Sequence, residues 1–169
     1  MGTKGRNLLI RSLSGVVLLG VILAALYFGK YSFAGLLLLI SSGGLFEFYN
    51  LVSKCGMRPQ IVLGFTSGQL LFMSAAWFFL YDCDSSSFGG EVALYTLTAS
   101  VLFAMIIFVV ELFRVTPTPI QNIATSLMGG IYVSLPVSLM FFIPLLLTGG
   151  VWRAEAFLFY LFIVWANDV

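Results

Sequence analysis

Apolar residues run along this chain in long blocks, separated by short joints rich in glycine, proline or charge. A block of roughly 20 apolar residues, wound as a helix that rises about 1.5 Å per residue, can cross a hydrocarbon layer about 30 Å thick. The first block runs from Leu13 to Phe28, behind a head that carries Lys4, Arg6 and Arg11. The second runs from Phe33 to about Val52, the third from Ile61 to Tyr81, and the fourth from Val92 to about Phe113. The fifth, Ile123 to Leu147, is interrupted by Gly129, Gly130, Pro136 and Pro144 and reads as one kinked span, since proline in a membrane helix is tolerated where neighbours satisfy the carbonyls it frees. The sixth, Phe157 to Ala166, passes directly into Asn167 and Asp168. The pattern predicts an all-α polytopic membrane protein with about six transmembrane helices, in one helical region over residues 1–169.

The basic head followed by an apolar run also has the outline of a secretory signal peptide. Ser32-Phe33-Ala34 is a poor cleavage site and further spans follow at once, so the first block reads as a retained helix. The opening Met1-Gly2 has Arg6 where myristoylation wants Ser or Thr.

Composition supports the membrane reading: 60% of residues are hydrophobic and only 9% charged, against roughly a quarter charged in soluble domains. With a net charge of +1 and no basic run, the chain has no electrostatic footprint for nucleic acid. It contains no histidine, which excludes a His-ligated zinc site and a Ser-His-Asp triad within these residues. Cys55 and Cys83 fall in joints on either side of the third span, so they should lie on opposite faces of the membrane and remain unpaired.

The polar residues inside the blocks narrow the picture further. Gly64 and Gly68 present a GxxxG spacing, which reads as a bare face for close helix packing. Glu111 and Arg114, three residues apart on one face, read as a local ion pair at the interface. Pro117 and Pro119 predict an extended connection, with Asn122 as a cap for the following helix. A cytoplasmic amino terminus places Lys4, Arg6, Arg11, Lys54, Arg58 and Arg114 inside and leaves only Lys30 and Arg153 outside, as the positive-inside rule favours. Glu47, Glu111 and Asp168 then all fall in the cytoplasmic half. Two readings of this coincidence stand. Short acidic side chains survive best near an interface, or the three carboxylates mark a cytoplasm-facing site for a metal and a phosphorylated substrate.

Several segments resemble the amino-terminal part of the bacterial phosphatidate cytidylyltransferase family, the CDP-diacylglycerol synthases. They are Arg11-Ser12-Leu13-Ser14-Gly15, Phe46-Glu47-Phe48-Tyr49, Pro119-Ile120-Gln121-Asn122-Ile123-Ala124, Gly129-Gly130-Ile131-Tyr132 through Pro136, and above all Val164-Trp165-Ala166-Asn167-Asp168. The resemblance implies a multi-pass enzyme of the bacterial inner membrane that joins CTP to phosphatidate, giving CDP-diacylglycerol and pyrophosphate with Mg2+ as cofactor. It further implies Asp168 as catalytic residue and metal ligand, and Asn167, Asn122 and Arg11 as substrate-binding residues. Glu47, Glu111 and Arg114 take supporting or structural places, and a homodimer is compatible with it. The family's later Ser-Pro-Lys-Lys-Thr-like and Lys-Arg...Lys-Asp segments are not within these residues, so the chain reads as the amino-terminal part of a larger enzyme, inactive by itself. A CTP-dependent lipid kinase is a related alternative. A transporter fragment, with the broken fifth helix and Glu47 lining a path, is a rival from another class.

The orientation carries a direct test. A membrane-impermeant thiol reagent applied to intact cells should label Cys83 and spare Cys55. Labelling of Cys55 instead would reverse the topology.

Overall fold

The computed structural model describes residues 3–81 and 87–167, with six helices and no strand among them. They are α1 (Thr3–Tyr27), α2 (Lys30–Lys54), α3 (Ile61–Tyr81), α4 (Ser87–Phe113), α5 (Pro119–Leu147) and α6 (Ala154–Asn167). Four of them, α2 to α5, are long and apolar enough to cross a membrane, while α1 and α6 contribute shorter apolar stretches, Gly15–Tyr27 and Ala154–Asn167. The all-helical, multi-pass expectation is met by six helices, four of which are long and apolar enough to span among the described residues.

The polar ends of the helices extend further than the apolar blocks. α2 starts at Lys30, whose ammonium donates to the Leu80 carbonyl 3.1 Å away at the end of α3. Only Phe28 and Gly29 separate α1 from α2, and Gly29 adopts φ 98°, which is open to glycine because it lacks a Cβ. α5 starts four residues before the expected Ile123, at Pro119. Pro119 lies in the first turn, where the missing N–H costs no helical bond and the ring pre-sets φ. Thr118 flanks that first turn, so Asn122 is not the cap; its side chain is used elsewhere.

α5 runs as one span from Pro119 to Leu147, with its ladder interrupted at Met140–Phe141, where the Met140 N–H bonds the Val137 carbonyl and the Phe141 N–H the Ser138 carbonyl, each at 3.2 Å. Its ladder widens into a π turn at Gly130–Ser134, immediately before Pro136. At the entry to this turn the Gly130 N–H bonds the Leu127 carbonyl rather than that of Ser126. The buried Tyr49 hydroxyl of α2 donates to the Ser126 carbonyl at 2.6 Å. A neighbouring helix thus supplies a buried donor at the point where the ladder of α5 changes.

Without water to drive association, helices in a bilayer hold together through close packing and interhelical hydrogen bonds. The GxxxG face of α3 supplies the close packing. A Cβ on Gly64 would meet the Ser126 carbonyl at 2.6 Å and collide with the Tyr49 hydroxyl, and one on Gly68 would meet Ser134 Oγ at 2.8 Å. α3 and α4 are clamped midway by reciprocal bonds, Ser67 Oγ to the Ser100 carbonyl at 3.1 Å and Ser100 Oγ to the Ser67 carbonyl at 2.8 Å. At one end of the bundle an aromatic cluster joins α2, α3, α5 and α6. Phe33 lies 4.7 Å from Phe157 and 5.2 Å from Trp152, and Phe79 lies 4.9 Å from Phe141, between ring centroids. Each such pair adds roughly 0.5–1.5 kcal/mol beyond its burial. Outward-facing Leu102, Phe108, Val109 and Phe162 are exposed, as lipid-facing positions should be.

Gly64→Val should therefore overpack the α2–α3–α5 junction and destabilise the protein by about 1–3 kcal/mol. Gly35→Ala, at an exposed position with nothing within 4 Å, should be near neutral. Thermal unfolding in detergent compares the two variants, and equal stability would contradict the packing described.

Candidate functional site

At the end of the bundle opposite the aromatic cluster, four polar side chains converge on one carboxylate. Glu111 lies two residues before the end of α4 and is 2% exposed. The α2–α3 joint approaches it from one side. Gly56, with φ 83°, turns the chain after α2, and Pro59 disfavours helix at Arg58, so Gln60 stands just ahead of the first turn of α3. The Gln60 amide donates to Glu111 Oε2 at 2.7 Å and to the Ile107 carbonyl at 3.0 Å. The α4–α5 joint closes from the other side. Thr116 Oγ1 donates to Glu111 Oε1 at 2.9 Å, and Arg114 Nη1 donates to Oε2 at 3.0 Å. From the first turns of α5, Asn122 Nδ2 donates to Oε1 at 2.8 Å.

Each Glu111 oxygen therefore accepts two hydrogen bonds, which fills the roughly four acceptor sites of a carboxylate. The cluster continues outward along the backbone. The Arg58 N–H donates to Asn122 Oδ1 at 3.1 Å, and the Arg58 carbonyl accepts from Arg114 Nη1 at 3.3 Å. The Gln60 N–H donates to Ser126 Oγ at 2.7 Å, and Ser126 Oγ donates in turn to the Asn122 carbonyl at 2.6 Å. Chemically, this is a latch that fixes two joints and three helix ends. Its carboxylate can take up a metal ion or a substrate proton only by giving up a donor it already holds.

The expected Glu111–Arg114 ion pair is present, but it is one of four contacts to the same carboxylate. Asn122, expected at the substrate, is 1% exposed and spends both ends of its amide within the latch. Glu47 lies on α2, exposed, and no hydrogen bond joins it to this cluster among the described residues. Arg11 lies in α1, ahead of its apolar stretch, with its side chain outside the described residues. Asn167 is the exposed last residue of α6, and Asp168 lies outside the described residues. Sequence reasoning missed Gln60, Thr116, Ser126 and Tyr49. A polar residue directly after Pro59, at the mouth of an apolar span, was the available signal for Gln60. No comparable signal marks Tyr49, whose partner is a backbone carbonyl.

No three His, Cys, Asp or Glu side chains lie close enough to hold a metal among the described residues. Glu111, with all four acceptor positions filled, offers no free oxygen to a metal ion. Residues 9–169 match the Cytidylyltransferase family. The chain belongs to that family. The match covers all six helices of the cytidylyltransferase chain except the first turns of α1, and it includes both joints of the latch. No curated protein and no solved structure matches it.

Removing the Glu111 carboxylate strands the donors of Gln60, Asn122, Thr116 and Arg114, so Glu111→Ala should cost roughly 3–5 kcal/mol, the scale for breaking a buried pair from one side. Arg114, one-third exposed, can turn to water, and Arg114→Ala should cost about 1 kcal/mol or less. Unfolding of the two variants in mixed micelles gives the ranking, and the reverse order would refute the latch.

Proposed function

We propose that this chain is the amino-terminal helical part of a phosphatidate cytidylyltransferase. The observation that carries the reading is the family match over residues 9–169. In the reaction, a phosphate oxygen of phosphatidate attacks the α-phosphorus of CTP and pyrophosphate departs, leaving CDP-diacylglycerol. Mg2+ is the proposed cofactor, and when bound it offsets charge on the attacking and leaving oxygens. Asp168 is proposed as one of its ligands, on the family resemblance.

In this reading the latch end faces the cytoplasm, where CTP is found, and Glu111 acts by positioning. It holds the α2–α3 and α4–α5 joints in register so that the surface around them has one shape. The lipid substrate enters from the bilayer. An apolar groove between α3, α4 and α5, lined by Leu71, Phe78, Leu94, Leu135 and Phe142, opens outward and suits an acyl chain. α6, which ends at Asn167, runs away from the aromatic cluster in the same direction as α4. Arg11 and Asn167 are proposed substrate contacts on the family resemblance.

The test joins residues 1–169 to the Lys- and Asp-rich segments of the family's carboxy-terminal part. The joined protein should convert radiolabelled CTP and phosphatidate to a CDP-lipid in a Mg2+-dependent way, and residues 1–169 alone should not. Asp168→Asn should lower kcat by about 100-fold or more with normal membrane insertion, the scale expected when charge stabilisation is removed from a reacting centre. Glu47→Gln should have the smaller effect. Undiminished activity in the Asp168→Asn protein would remove the catalytic assignment.

A further inference from the structure

The latch uses only the backbone of Arg58. Its N–H is held by Asn122 and its carbonyl by Arg114, while its side chain is exposed and has no hydrogen bond or ion pair among the described residues. Arg114 touches the same residue and keeps part of its guanidinium towards solvent. Lys54, the exposed last residue of α2, precedes Arg58 by four positions across the Gly56 turn. Three cations thus gather at one end of the bundle, and the only acid within the cluster, Glu111, is buried and saturated. Glu47, two helical turns before Lys54, makes no ion pair with it.

Around these cations the surface is apolar to an unusual degree. Leu112 is 82% exposed, Phe113 83%, Val115 105% and Ile120 81%, all within a few residues of Arg114. Large side chains that stand this far out at the end of a membrane span belong among acyl chains, with the neighbouring cations at the level of the headgroups. A guanidinium matches phosphate oxygens with parallel N–H donors, and basic pockets at helix ends recognise phosphorylated headgroups.

We infer that Arg58, Arg114 and Lys54 form a binding site for the phosphate headgroup of an anionic phospholipid, with Phe113, Val115 and Ile120 seated against its acyl chains. The buried latch sets the spacing of the two guanidiniums before the lipid arrives, so little ordering remains to be done on binding. The site does not depend on catalysis and would hold lipid in a protein with no turnover.

Because the latch needs only the main chain of Arg58, Arg58→Gln removes a cation and leaves the buried hydrogen bonds in place. Native mass spectrometry of the detergent-purified protein, titrated separately with phosphatidylglycerol, phosphatidate and phosphatidylcholine, reads the site directly. The wild type should retain the two anionic lipids in preference to phosphatidylcholine. Arg58→Gln and Lys54→Gln should each weaken retention about fivefold, with unchanged thermal stability. Arg153→Gln, in the joint before α6 at the opposite end, should bind as the wild type does. Equal retention in the Arg58 and Lys54 variants, or equal weakening by Arg153→Gln, would overturn the site. Full displacement of lipid by millimolar inorganic phosphate would overturn the lipid assignment and mark a soluble-anion site instead.

Discussion

A carboxylate withdrawn from water into an apolar helix bundle is tolerable only if donors surround it, and that requirement organises one end of this protein. Glu111 obtains its donors from Gln60, Arg114, Thr116 and Asn122, which come from two joints and the start of another helix. No single helix can supply such a set, because side chains on one helix reach only three or four positions along it. The need to satisfy one charge therefore ties α3, α4 and α5 together at their ends. It also fixes the paths of the two joints, which would otherwise be the most mobile parts of a membrane bundle.

The rest of the molecule follows from keeping that end in place. The Ser67–Ser100 clamp holds α3 against α4 at mid-depth, and the aromatic cluster around Phe33 and Phe141 closes the far end. Between them α5 must pass Pro136 without leaving orphan carbonyls in the bilayer. Just ahead of its π turn, the Ser126 carbonyl accepts from the Tyr49 hydroxyl. Ser126 also bonds the Gln60 N–H, so the break in α5 and the latch share one residue. This sharing ties the π turn of α5 to the latch at the α2–α3 joint.

The helices were largely legible because a spanning block leaves a long run of apolar residues, and the kink in α5 was written in Gly129, Gly130 and Pro136. Boundaries were less so. Lys30 and Pro119 lie in helices although neither is apolar in the way a span would suggest, because a lysine reaches a carbonyl at a helix end and a proline is at ease in a first turn. The Glu111–Arg114 contact was legible from its spacing of three. The wider cluster was not, since Gln60 lies 51 positions from Glu111 and Tyr49 lies 77 from Ser126, and a local pattern carries no information about such pairs. Asn122 shows the ambiguity well: an amide near a helix start reads equally as a cap or as a donor to a distant acid, and only the fold decides.

Glu111 and Asn122 act as a coupled unit in holding the bundle end. A double-mutant cycle measures this coupling most directly, with Glu111→Leu, Asn122→Leu and the double variant unfolded under identical micelle conditions. The account predicts a coupling of about 1–3 kcal/mol, with the double variant more stable than the sum of the single losses because the stranded donor and acceptor vanish together. Additivity within about 0.5 kcal/mol would contradict it.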